Sequence, residues 1–381
     1  MSKTKILIIT ERRADYSRFK PILKIIKKEK FYDYVLVVTG SHLLRNHGYT
    51  IKEIKKDGFK VNHKIKSFSD NSKIDDGENM ILGIGKIFMK ISKVIKKEKP
   101  DLILSGFDIG ANLALTIAGA HLNVPIAHIQ GGELTGSIDE SIRHAMSKFS
   151  NYHFVANYDA KNRLIKMGEK KNNIFNVGCP SLDALLAEKE INLGTICKKF
   201  GIDKKKKYII VIQHPVTTEN NSSRSQIIET IEAIKLSKVQ TLFILPNNDS
   251  GHNEIIRHIK KSEIKWTKTL TIPEYKSLLK NCSLLLGNSS SGIHEAISFG
   301  VPVLNIGSRQ NGRLKPKNVI NAKHDRADIF KKINYCLENK VFINKIKNIK
   351  NPYGDGKSSK RIVNIIKKLD LKASTQKLNT Y

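Results

Sequence analysis

Glu133 and Asp139 stand six residues apart in Gln130-Gly131-Gly132-Glu133-Leu134-Thr135-Gly136-Ser137-Ile138-Asp139-Glu140. Two carboxylates that converge on one site supply a general base and a general acid when their surroundings split their pKa values. The paired glycines leave nothing bulky beside Glu133, and Asp139 opens a helical stretch whose dipole favours an ionised side chain. Glu140 also suits an ion pair with Arg143 or His144 on the same helix. A third carboxylate, Asp108, lies in Ser105-Gly106-Phe107-Asp108-Ile109-Gly110, where glycines permit a tight turn and close approach of a ligand; a helix N-cap is its equally good structural use. His214, in Gln213-His214-Pro215-Val216-Thr217-Thr218, places an imidazole for a phosphate or a developing charge.

Anion binding is written elsewhere, in Leu284-Leu285-Leu286-Gly287-Asn288-Ser289-Ser290-Ser291-Gly292-Ile293-His294-Glu295. Serine hydroxyls, free backbone N–H groups and the start of a helix suit a diphosphate, and Glu295, one turn on, reaches ribose hydroxyls. The same residues also make a Ser/Gly-rich helix cap. Ser308-Arg309-Gln310-Asn311-Gly312-Arg313 adds two arginines fit for phosphate, and Leu245-Pro246-Asn247-Asn248-Asp249 is a further polar loop. Neither a G-x-x-x-x-G-K-[ST] loop nor a full G-x-G-x-x-G occurs, which excludes a P-loop triphosphatase and an ordinary dehydrogenase. No Cys/His cluster suggests a metal, and no cofactor is expected.

These groups need elements to carry them. Short apolar runs alternate with amphipathic stretches, the pattern of parallel α/β units, whose functional groups gather past the carboxyl ends of strands. The pattern predicts strands over 5–10, 34–38, 101–104 and 124–129, with helices over about 16–28, 81–97 and 111–122. A polar, Lys-rich connection over 188–207 follows, and the alternation then restarts with strands over 208–212, 241–245, 284–286 and 301–306. Helices are expected over 226–236, 254–261 and 292–299. The expected fold is α/β, two Rossmann-like domains with parallel sheets facing a cleft. The domains span residues 1–190 and 191–357, with 358–381 as a helix packing back across the hinge. Residues 371–381 read as a frayed tail.

The chain has 381 residues with 67 Lys+Arg against 35 Asp+Glu, a formal +32, which raises the question of a nucleic-acid partner. The excess is scattered lysine, as in Lys27-Lys28-Glu29-Lys30 and Lys204 to Lys207, without the Arg and aromatic clustering of a duplex binder, so no nucleic acid is expected. The four cysteines are spread without C-x-x-C pairing, which argues against a disulfide scaffold. No apolar run approaches a membrane span, and Ile6 to Ile9 is too short for a signal-peptide core, so the expectation is a cytoplasmic protein without membrane association.

Taken in order, the motifs resemble the hydrolysing UDP-N-acetylglucosamine 2-epimerases of sialic-acid and related nonulosonate pathways. The likeness runs from Arg13-Ala14-Asp15-Tyr16-Ser17 through His128-Ile129-Gln130-Gly131-Gly132-Glu133, Ile138-Asp139-Glu140-Ser141-Ile142-Arg143-His144, Gln213-His214-Pro215 and Gly287-Asn288-Ser289-Ser290 to Tyr353-Gly354-Asp355-Gly356. It implies a GT-B fold, and a reaction in which UDP leaves by anti elimination with loss of the C2 proton. Water then adds to the 2-acetamidoglucal to release N-acetylmannosamine. The resemblance implies that Asp108, Glu133, Asp139 and His214 are catalytic. It implies that Arg13, Ser17, Asn247, Ser289, Ser290, Glu295 and Arg309 bind the UDP-sugar, and that the enzyme is a homo-dimer or homo-tetramer. One departure stands out: relatives carry Gly-Asp-Arg where this chain has Gly106-Phe107-Asp108, so Asp108 aligns only with a one-residue shift and the arginine has no counterpart. A substrate altered at C4 or C6, UDP-N,N'-diacetylbacillosamine, is therefore the alternative to UDP-N-acetylglucosamine. A glycosyltransferase of the same fold is the other enzymatic reading, disfavoured by the paired carboxylates.

Overall fold

Ile6-Leu7-Ile8-Ile9 is fully buried because both faces of its strand are covered, as in a wholly parallel sheet. Ile6 and Ile8 pack with Phe19, Ile22 and Ile26 on one face, and Leu7 and Ile9 with Ile87, Ile91 and Leu115 on the other. Each such side chain contributes roughly 1.5–3 kcal/mol of transfer free energy. In the computed structural model, which describes residues 3–46, 48–70, 77–246, 249, 251–372 and 375–380, the chain forms two α/β units.

The first unit comprises Met1–Glu133, Asp139–Ala184 and Tyr353–Tyr381. Its strands are β1 (Thr4–Thr10), β2 (Tyr32–Thr39), β3 (His63–Ile65), β4 (Leu102–Gly106), β5 (Ile126–Ile129), β6 (Tyr152–Val155) and β7 (Ile174–Asn176), in the order β3-β2-β1-β4-β5-β6-β7. The second unit comprises Leu134–Ile138 and Leu185–Pro352. Its strands are β8 (Tyr208–Ile212), β9 (Gln240–Ile244), β10 (Lys265–Thr267), β11 (Leu284–Gly287), β12 (Val303–Ile306) and β13 (Val319–Ala322), in the order β10-β9-β8-β11-β12-β13. All pairings are parallel. These are two Rossmann-like domains of the GT-B-like class. In each, strand order reverses at one place, between β1 and β4 and between β8 and β11, and such a switch point is where ligands bind in open α/β sheets.

Three local expectations are corrected. The first helix begins at Arg13 rather than near Tyr16, because Asp15 accepts from the amides of Glu11 (2.9 Å) and Arg12 (2.8 Å) as the third residue of a capping box. The Lys-rich stretch 188–207 is not a bare connection: it holds a helix, Leu193–Phe200, capped by Asn192 and burying Ile196 and Cys197. The tail is not frayed throughout, since side chains and backbone of residues 375–380 bond back to the first unit. The terminal helix, Ser358–Ile366, packs its Ile362, Val363 and Ile366 into the first unit's core, its leading amides held by Asp183 at 3.0 and 2.6 Å. Cys179, Cys197, Cys282 and Cys336 are buried free thiols. No described helix is long and apolar enough to cross a membrane.

Candidate active site

The carboxyl ends of β4 and β5 are turned by Phe107 (φ 72°) and Gln130 (φ 59°), both left-handed without being glycine. Such backbone costs on the order of 1–3 kcal/mol and persists where surrounding contacts over-determine it. Here the buried Phe107 ring stacks edge-on against Phe19 at 5.1 Å and lies under the Arg18 guanidinium at 4.8 Å. Its carbonyl meets His128 Nε2 at 3.1 Å. A carbonyl only accepts, so Nε2 carries the proton and Nδ1 faces the Ser147 hydroxyl at 3.0 Å. Gly131 fits beside this pair because a Cβ there would sit 2.8 Å from both His128 Nδ1 and Ser147 Oγ.

That frame delivers the acidic groups. Glu133, 3% exposed, accepts from Gln130 Nε2 at 3.0 Å, and its carbonyl accepts from Arg143 Nη1 at 2.8 Å. Arg143 Nη2 donates to Asp108 Oδ2 in an ion pair whose arginine side chain is only 3% exposed. Burial opposes a charge on Arg143, but the charges of Asp108, Glu133 and Asp139 outweigh it and raise its pKa. The structure thus brings the three carboxylates around one buried guanidinium. Arg143 was weighed in the sequence only as a partner for Glu140. Its real partner is 35 positions away, beyond any local spacing rule. Asp139 is the first residue of helix Asp139–Phe149, with its carboxylate in the first turn.

Glu11, at the switch point of the same sheet, is a second group the motifs did not single out. Its Oε2 accepts from Ala111 N at 3.0 Å, filling the N-terminus of helix Gly110–His121. Burial raises its pKa, against the lowering pull of Arg12 and the Ala111 amide. Only a carboxylate between two switch-point loops could have signalled it. Arg13 and Ser17 lie on the first helix, where Arg13 pairs with Glu53 at 3.2 Å and Ser17 Oγ donates to Ala14 O at 2.8 Å.

In the second unit the switch point is tied by Asn288, 1% exposed. Its Oδ1 accepts from His214 N at 2.7 Å and its Nδ2 donates to His214 O at 2.8 Å, which fixes the histidine loop to the serine loop. Its own carbonyl accepts from Gln310 Nε2 at 2.9 Å and Arg309 Nη1 at 3.3 Å. So His214, Ser289, Ser290 and Arg309 are gathered through one asparagine. Gly287 (φ 125°) is needed there, since a Cβ would lie 2.1 Å from Ile212 O. Ser289 caps a helix that is shorter than expected, Ser290–His294, followed by a 3-10 turn, Ala296–Phe299. Glu295 lies at their junction, and its charge helps push the buried Tyr275 phenol upward, after burial itself. Asn247 lies outside the described residues. Among the described residues no group of three or more His, Cys, Asp or Glu could hold a metal ion.

Against known proteins, a profile of the UDP-N-acetylglucosamine 2-epimerases matches residues 24–367. The chain belongs to that family. This epimerase is 38% identical over 382 residues, 99% of both chains, to the UDP-N,N'-diacetylbacillosamine 2-epimerase (hydrolyzing) of Legionella pneumophila. It is 34% identical over 331 residues, 86% of this chain and 85% of the other, to the UDP-N-acetylglucosamine 2-epimerase of Neisseria meningitidis. Its fold matches the solved structure of a Neisseria meningitidis UDP-GlcNAc 2-epimerase bound to UDP-GlcNAc, with a TM-score of 0.82 at 19% identity, covering 96% of this chain and 100% of that one. The epimerase is an enzyme of the hydrolysing UDP-sugar class, acting on a UDP-N-acetylhexosamine.

The epimerase's inner frame also sets a pH dependence. Burial pushes His128 down from 6.5 to about 3, so the folded chain keeps it neutral where the unfolded chain binds a proton. Between those two values the unfolded state holds more protons, and stability rises with pH. Acidification through this window is expected to cost about 1.4 kcal/mol per pH unit from His128 alone, and nothing further above the unfolded value. Urea midpoints at successive pH values check this, with His128→Asn flattening the slope. Buried His42 and His153, also lowered by burial, act in the same direction.

Proposed function

We propose that the substrate is UDP-N,N'-diacetylbacillosamine, converted to the free C2-epimeric sugar and UDP. The observation that carries this is the 38% identity to the Legionella enzyme over 99% of both chains. The shifted Asp108 and absent arginine, in the loop after β4, support a sugar unlike N-acetylglucosamine at C4 or C6. UDP-N-acetylglucosamine remains the competing substrate on the strength of the Neisseria relative.

The C2–H bond adjoins no carbonyl and is not acidic by itself. As the C1–O bond breaks, its electron pair goes to the UDP phosphate and positive charge develops at C1, which acidifies C2–H. A carboxylate takes that proton as the C1–C2 double bond forms. Water then adds its oxygen to C1, and a proton returns to the opposite face of C2. In this reading Glu133 and Asp139 exchange the protons, and Asp108, clamped by Arg143, completes the acidic set. His214 and Arg309 stabilise charge on the leaving diphosphate, while Ser289, Ser290 and Glu295 hold the nucleotide, with Arg13, Ser17 and Asn247 as further ligands.

The test incubates the purified protein with each UDP-sugar in D2O and follows UDP release and the sugar NMR spectrum. UDP-N,N'-diacetylbacillosamine is expected to give at least tenfold higher kcat/KM and deuterium at C2 of the free sugar. Equal or better turnover of UDP-N-acetylglucosamine overturns the substrate assignment. A free sugar without C2 deuterium overturns the elimination.

A further inference from the structure

Lys377 lies in an irregular stretch after the terminal helix, yet its ammonium group is drawn into the first unit. Nζ sits 2.5 Å from Glu169 Oε2 and donates to the carbonyls of Ser147 (2.8 Å) and Lys148 (2.9 Å). Glu169 is 1% exposed, and its carboxylate also meets His153 Nε2 at 2.9 Å and Lys148 Nζ at 3.2 Å. Neighbouring bonds seat the stretch: Asn151 Nδ2 donates to Thr375 O at 3.0 Å, and Thr380 N to Gly168 O at 2.9 Å. A buried carboxylate needs fixed cations around it, so this contact is an anchored one rather than a surface pair.

The two carbonyls that Lys377 holds belong to the last turn of helix Asp139–Phe149, where a cation complements the helix dipole. From there a continuous chain of bonds leads inward. Ser147 Oγ contacts Arg143 O at 3.1 Å and His128 Nδ1 at 3.0 Å, and His128 Nε2 holds Phe107 O, next to Asp108. The same helix carries Asp139 at its start and the Arg143 clamp on its second turn.

We infer that the stretch around Lys377 is a clamp on the catalytic helix, and that Lys377 is a positioning residue for Asp108, Glu133 and Asp139. The inference rests on the proposed reaction for its effect on turnover. Its mechanical part, the fixing of helix Asp139–Phe149, stands apart from that reaction. Misplacing a catalytic group by about 1 Å costs up to about a hundredfold in rate, so loosening the helix lowers kcat rather than substrate affinity.

The test uses the full chain carrying Lys377→Met, Lys377→Gln, Lys377→Arg or Lys377→Ala. Two readouts are taken: steady-state kinetics, and amide hydrogen exchange of helix Asp139–Phe149. In Lys377→Met, kcat is expected to fall about tenfold to a hundredfold with KM within about twofold, and exchange in that helix to quicken while the second unit is unchanged. Lys377→Arg keeps both near wild type, and n-butylammonium partly restores both in Lys377→Ala. If Lys377→Met does not fold, Lys377→Gln, which keeps a donor but not the charge, carries the same comparison. Unchanged exchange in the helix, uniformly faster exchange throughout the chain, or equal losses in kcat and affinity overturns the clamp. If the wild-type protein turns over neither UDP-sugar, the proposed reaction fails while the exchange data still decide the clamp.

Discussion

Glu133→Gln is expected to lower kcat by about two to four orders of magnitude while UDP binds within about twofold of wild type, and Asp139→Asn to do the same. Neither change removes bulk. Gln at 133 keeps an oxygen to accept from Gln130 Nε2, and the backbone carbonyl that Arg143 holds is untouched. In the proposed reaction, what is lost is the ability to take or return a proton at C2. UDP affinity by calorimetry and turnover by coupled release of UDP separate the two effects. Loss of UDP affinity in both variants would make these carboxylates structural and sink their assigned role.

The second large effect is expected at Arg143. Its guanidinium is buried, pairs with Asp108, and is surrounded by the charges of Glu133 and Asp139. Arg143→Met removes the buried cation that pairs with Asp108, and breaking a buried pair from one side typically costs about 3–5 kcal/mol. The expected result is a lower urea midpoint together with turnover reduced at least a hundredfold, because both Asp108 and the Glu133 backbone lose their anchor. Arg143→Lys keeps the charge but not the planar fork that spans Asp108 and the Glu133 carbonyl, so it should recover stability better than activity. Adding Asp108→Asn to Arg143→Met should restore part of the stability and none of the turnover. Full stability in Arg143→Met alone would show that the site does not depend on this cation.

The longer strands were legible because parallel strands are buried on both faces and announce themselves as apolar runs. The loops after them stand out by glycine and by charge. Short edge strands such as β3, β10 and β13 were not, since three or four residues carry too little periodicity. Nor were the bonds that assemble the site. Asn288 sits inside the Gly287-Asn288-Ser289-Ser290 motif, but its two hydrogen bonds to the His214 backbone depend on β8 and β11 being neighbours, a fact of strand order. Glu11 and Arg143 were hidden for the same reason. The tail was misread because terminal residues normally fray, whereas Lys377 is held by a carboxylate from a distant segment.

The division of the chain into units has a consequence for its synthesis. Residues 353–381 belong to the first unit but are made after the whole of 185–352. The ribosome therefore delivers everything the second unit needs before it delivers the closing helix and Lys377 of the first. Closure of the first unit's core by Ile362, Val363 and Ile366 therefore waits on a segment made after all of 185–352.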